Sequence, residues 1–186
     1  MQCNCIPPLL ILPSEPLTPK IMNKNKNQKR KVALSQKKAL TTLQFQAEWG
    51  LKQLNGRESI LQQQLSNELT LIEQLDLTQD LLAIQKFTIH VQQHVHAHPL
   101  SGHGDLTKSL IAITLGIVPV ESISPDATFL PWSELAQKKM LSLYYPEETR
   151  NAIVAWAAQN GYQTSTYLGT PIVKFKHIYL VIKRGQ

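Results

Sequence analysis

Apolar side chains recur at helical spacing through the middle of the chain and at alternate positions near its end. From Ser35 onward, Leu40, Leu43, Ala47, Leu51 and Leu54 return every three or four residues, the stripe of an amphipathic helix. Asn55-Gly56 is a helix stop. A second helix is predicted over residues 58–75, with Leu61, Leu65, Leu69 and Ile72 on one side. Asp76 or Thr78 offers the next N-cap. Leu81, Ile84, Thr88, Val91 and Val95 then form a heptad-like seam, too short to specify a coiled coil. A helical hairpin or small bundle is therefore expected over residues 35–98.

The pattern changes at the loop residues Pro99, Gly102 and Gly104. Asp105 is placed to cap a helix over 106–115 that stops at Gly116, and residues 117–120 read as a short edge strand. After a connector, Pro131 opens a helix over 131–141 and Pro146 another over 146–159. Glu147 and Glu148 suit the positive end of the latter, and Asn160-Gly161 ends it. Residues 162–168 and 172–183 are β-branched and aromatic, with a turn at 169–171. Val173, Phe175, Tyr179 and Val181 stand at strand period. The expected fold class is mainly α with a small C-terminal β-hairpin, that is α+β. The order of elements over 105–186 resembles that of winged helix-turn-helix domains, which implies a winged-helix-like unit behind the helical hairpin.

Charge divides the chain differently. Residues 1–38 hold Lys20, Lys24, Lys26, Lys29, Arg30, Lys31, Lys37 and Lys38 against Glu15 alone, a net +7, and the remainder is close to neutral. So polar a tract buries little apolar area, so residues 1–34 are expected to be a disordered basic tail suited to polyanions. The Pro-rich opening, with Cys3 and Cys5, lacks the basic start and cleavage site of a signal peptide. No apolar run reaches the roughly 20 residues that span a bilayer, so no membrane partner is expected. With no disulfide framework, a cytoplasmic location is the expectation. The character of residues 1–21 also suggests a translated leader before a natural start at Met22.

The most unusual chemistry is the run of histidines. His90 and His94 are one turn apart on a helix and could share a zinc or nickel ion with His98 or His103, with Asp105 adding an oxygen. His98 precedes Pro99, which pushes it out of helical geometry, and His96 points to the opposite face. Histidines also suit the negative end of a helix without metal, and can make that end pH-responsive. No His-Glu-x-x-His, Gly-rich phosphate loop or Gly-x-Ser-x-Gly is present. Adjacent Glu147 and Glu148 diverge on a helix and so do not make an acid/base pair. Trp132, Trp156, Tyr144 and Tyr145 read as core or rim aromatics.

A non-enzymatic accessory protein is therefore expected. It would meet nucleic acid through Lys24, Lys26, Lys29, Arg30 and Lys31 of the tail and Arg150, Lys174, Lys176, Lys183 and Arg184 of the C-terminal domain. Glu147 and Glu148 at the start of the would-be recognition helix weigh against duplex readout. The alternatives are a scaffold that pairs with a protein partner or a second copy through residues 35–96, and a metal- or pH-responsive regulator built on the histidines.

Overall fold

Three long helices lead the chain: α1 (Lys20–Gln53), α2 (Glu58–Gln74) and α3 (Thr78–Val95). A 3-10 turn (Asp105–Lys108), α4 (Leu110–Thr114), α5 (Trp132–Lys138), β1 (Met140–Pro146), α6 (Glu147–Gln159), β2 (Gln163–Tyr167), β3 (Thr170–Lys174) and β4 (Tyr179–Gly185) follow. The computed structural model describes residues 20–54, 58–120 and 132–185, with side chains over 28–54, 61–120 and 132–185. Cys3, Cys5, the Asn55-Gly56 stop, Pro131, most of the proposed leader and the side chains of Lys24 and Lys26 lie outside that set.

Contacts divide the chain into the compact units Met1–Leu34 and Ser35–Gln186. In the first, the basic tract is helical from Lys20. Lysine, arginine and glutamine are good helix formers, and neither glycine nor proline interrupts residues 20–49. The described side chains of residues 28–34 are all exposed.

The second unit has one core, built by the predicted stripes. Leu43, Ala47 and Leu51 of α1, Leu65 and Ile72 of α2, and Leu81, Ile84, Phe87 and Val91 of α3 are essentially inaccessible. The core continues through α4, α6 and the sheet, so residues 35–98 and 105–186 share it. The α3 seam faces the chain's own core and is not a free surface for a partner. α2 and α3 join through Asp76, which takes a left-handed φ of 54°.

The four strands lie in the order β1-β4-β3-β2. β4 runs parallel to β1 and antiparallel to β3, which pairs antiparallel with β2. This departs from the winged-helix expectation in two ways. A seven-residue strand, β1, stands between α5 and α6, where a helix-turn-helix needs a short turn. The single final strand is two strands, broken at 175–178. The edge strand expected at 117–120 is not formed, and Ser109, not Asp105, caps α4, accepting from the Ala112 N–H at 3.2 Å.

Asp105 instead guards the edge of β1. Its carboxylate accepts from the Ser142 N–H at 2.8 Å and from the Ser142 hydroxyl at 2.7 Å. Leu100 N–H donates to the Tyr144 carbonyl at 2.7 Å, and Gly104 bridges to Leu143. At Gly104 (φ 95°) a Cβ would stand 2.6 Å from the Ser142 carbonyl oxygen, so only glycine allows this approach. The segment covers an edge that would otherwise offer free backbone groups. No helix among the described residues is long and apolar enough to cross a membrane.

Candidate nucleic-acid interface

Successive side chains on a strand point to opposite faces, so the pairing register assigns every strand residue to one face of the sheet. Leu141, Leu180 and Val173 form one row, and Leu143 pairs with Ile182 in the next; all five are at most 1% exposed, on the face that packs into the core. The alternate residues make the outer face. There Tyr179 pairs with Lys174, which pairs in turn with Gln163, and Tyr144 pairs with Lys183. Tyr167 has the same parity on β2 and is 49% exposed. The Lys183 Nζ lies 5.3 Å from the centre of the Tyr144 ring, a cation–π contact that holds the ammonium over the sheet. Between Met140, Gln163, Tyr167, Ile172, Lys174 and Tyr179 the face forms a hollow of about 480 Å³.

Lys174 and Lys183 therefore share a face with three tyrosines. The other C-terminal cations expected at an interface are placed elsewhere. Arg150 is 7% exposed and its Nε donates to the Ile182 carbonyl at 3.1 Å. Burial, and secondarily the Arg184 charge, lower its pKa, while Glu147 opposes them. Arg184 pairs with Glu147 at 2.8 Å, both exposed, and Lys176 lies 3.4 Å from Asp76. In the tail, Lys29, Arg30 and Lys31 are exposed on α1.

The histidines do not assemble a metal site. His94 stacks on Trp156 with 5.7 Å between ring centres and 18° between planes. His90 lies 3.4 Å by its Nδ1 from the Tyr162 hydroxyl, within an aromatic cluster that includes Phe87 and Trp156. α3 ends at Val95, and His96 caps it in the left-handed conformation (φ 54°), so the chain turns away before His98. His103 is held beside Tyr144, ring centres 5.8 Å apart, with its Nδ1 2.9 Å from the Ser101 carbonyl. Among the described residues no three His, Cys, Asp or Glu side chains come together as metal ligands. His90, His94, His98 and His103, whose spacing could suit zinc or nickel, are thus divided between a stacked aromatic cluster and a loop on the β1 edge.

Two buried carboxylates have no counterpart in the sequence reading. Asp80, fully buried in the first turn of α3, accepts from the His177 N–H at 2.8 Å, the His177 Nδ1–H at 2.9 Å and the Ile178 N–H at 3.4 Å. Glu68, fully buried on α2, accepts from the Ser109 hydroxyl at 2.8 Å and from the N–H groups of Leu110 and Ile111 at 2.9 and 3.2 Å. Buried charges survive when their lone pairs are satisfied in this way. A carboxylate behind an imidazole is also the form of a general base. Here, however, the His177 Nε2 faces Asp76 at 3.6 Å, a second carboxylate and not a hydroxyl or thiol nucleophile. The pair acts as a clasp on the β3–β4 turn. The signal for both was present: Glu68 falls three residues after Leu65 and four before Ile72, and Asp80 four before Ile84, so each charge interrupts an apolar stripe.

Comparison with protein-family models, with curated proteins and with solved structures finds no match.

Proposed function

We propose that this protein binds nucleic acid without catalysing a reaction on it, taking unpaired bases on the outer face of its sheet and phosphates on its basic helix. The observation that carries the reading is the outer face itself: Tyr144, Tyr167 and Tyr179 with Lys174 and Lys183, on a sheet whose other face is the core. Aromatic rings on an open sheet stack bases whatever their sequence, and interleaved cations meet the backbone. A face of separated tyrosines and lysines suits single strands better than a duplex, in keeping with the acidic start of α6.

The basic helix supports the same reading through its electrostatics. Its first 19 residues hold eight cations and no anion. Cations at a helix N-terminus oppose the macrodipole, and Lys20–Lys24 and Lys26–Arg30 are like charges at i,i+4 spacing. A polyanion relieves both penalties. The proposed setting is the reducing cytosol.

The test is fluorescence anisotropy with a mixed-sequence single strand and its duplex at two salt concentrations. The single strand is expected to bind more tightly. Removing residues 1–34 takes away Lys20, Lys24, Lys26, Lys29, Arg30 and Lys31, and should flatten the slope of log K against log salt by up to about 4, at roughly 0.7 per phosphate contact. Absence of binding at low salt overturns the proposal.

A further inference from the structure

On α1, Phe45 and Trp49 stand one turn apart, beside the Leu43–Ala47–Leu51 stripe and not on it. They are 68% and 60% exposed. Two large neighbouring rings left in water are costly to solvate and make a sticky apolar surface. They form one wall of a groove of about 1030 Å³ between α1, α2 and the α4 region, with Leu54, Leu61 and the exposed Val120 on other sides. Its floor depends on a missing side chain. A Cβ on Gly50 would collide with the Thr114 carbonyl, so glycine is what lets α1 close against α4.

The chemistry of the walls narrows the occupant. Among the described residues lining the groove none is ionisable, although 17% of the chain is Asp, Glu, Lys or Arg. The described walls therefore favour an uncharged occupant over a phosphate or carboxylate. The polar groups there are neutral: Thr114 and the glutamine amides at 46, 53 and 85. Gln85 spends its Nε2 on the Leu115 carbonyl at 3.1 Å, and the Gln46 Oε1 is buried with no hydrogen-bond partner among the described residues.

Size narrows it further. Thirteen of the described residues line this groove. A hollow of roughly 300–1,000 Å³ between helices, mostly apolar with a few placed polar groups, is the form of a small-molecule site.

We infer that the groove is a binding site for an uncharged small molecule with an aromatic or fused-ring body, held against Trp49 and Phe45 and oriented by the glutamine amides. This site is separate from the sheet face and does not depend on nucleic-acid binding.

The full-length chain is titrated with Nile red, a neutral fused-ring dye, at high salt. One saturable equivalent with blue-shifted emission is expected. Trp49→Ala and Phe45→Ala replace exposed side chains, so their thermal melts should match the parent while dye affinity falls by about tenfold. Leu61→Trp, which fills the groove from α2, should abolish the saturable phase. Unsaturable binding, or equal affinity in parent and alanine variants, overturns the inference. So does a dimer by sedimentation that depends on Trp49 and excludes the dye, because the groove is then a contact between copies.

Discussion

The two faces of the sheet are built from the same strands and differ by one residue of register. The inner face is aliphatic and closed: Leu141, Leu143, Val173, Leu180 and Ile182. The outer face carries Tyr144, Tyr167, Tyr179, Lys174 and Lys183. Alternation thus lets one short stretch hold the fold together and present a surface, with neighbouring residues doing unlike things. Leu180 and Tyr179 are adjacent, yet the first is wholly buried and the second borders the outer hollow. The outer face is itself buried at its centre, where Ser142, Val181 and Ile172 are at most 7% exposed. Substitutions on the inner face should therefore move stability alone, and substitutions of the outer tyrosines and lysines should move binding alone.

The largest effect is expected from Leu180→Ala, which opens a cavity at the centre of the closed face between Leu141 and Val173. Truncating a buried leucine costs about 2–5 kcal/mol. Urea unfolding should show a loss in that range. A loss below about 1 kcal/mol would mean the inner face is not the tightly packed layer described.

Next is Asp80→Ala, which tests what holds β4 in line. The substitution strips acceptors from the N–H groups of His177 and Ile178 and from the His177 ring. Unsatisfied buried donors cost about 1–3 kcal/mol each. Relaxation of the turn toward water offsets part of this, because His177 is partly exposed, so a net loss of about 2–3 kcal/mol is expected. Hydrogen exchange should localise the change to residues 175–185. Exchange that speeds up evenly over the whole unit would refute the clasp.

That same clasp explains how far the fold could be read from the sequence. The long helices were legible because their apolar stripes are local, and Leu43, Leu51, Leu65, Ile72, Leu81 and Ile84 are buried as their spacing requires. The break between β3 and β4 was not legible. Residues 175–178 contain neither glycine nor proline, and the turn is held by a carboxylate 97 positions away. β1 was hidden for a similar reason. Met140 and Leu141 read as the end of the helix expected over 131–141, but Lys139 takes a left-handed φ of 55° and ends α5, and the strand pairs in parallel with the last segment of the chain. Lys174 and Lys183 were visible as interface candidates. Tyr144 was not, because its place beside Lys183 depends on that non-local pairing.

On the outer face, Tyr167→Ala should leave the melting temperature within the scatter of the parent, since the ring is half exposed at the end of an edge strand. Binding of the single strand should weaken by roughly tenfold, within the ~1–3 kcal/mol that stacking of one base provides, with little change in salt slope. Lys174→Ala should instead reduce the slope by about 0.7, one phosphate contact on a single strand. If both variants bind like the parent, the tyrosines do not stack bases and binding, if any, belongs to the basic helix alone.

The smallest effect is expected at Tyr145, which has the inner-face parity yet carries a hydroxyl. The side chain is fully buried and the hydroxyl makes no hydrogen bond among the described residues. Removing an unsatisfied buried hydroxyl is neutral or stabilising by up to about 1 kcal/mol, so Tyr145→Phe should unfold at the same or slightly higher urea concentration at neutral pH. The sign of its pH dependence is also set by the burial. Desolvation pushes the Tyr145 phenol well above its ordinary value, so the native state keeps the proton while the unfolded chain loses it above about pH 10. Below that pH both states are neutral at this site and its stability is fully present. As pH rises from 10 toward the folded-state value, the parent should lose about 1.4 kcal/mol per pH unit that the phenylalanine variant keeps. Urea midpoints compared at neutral and alkaline pH isolate this difference from the other tyrosines, which both proteins share. Equal alkaline losses in the two would show that the Tyr145 hydroxyl reaches water, and that the inner face is less closed at the end of β1 than its aliphatic rows imply.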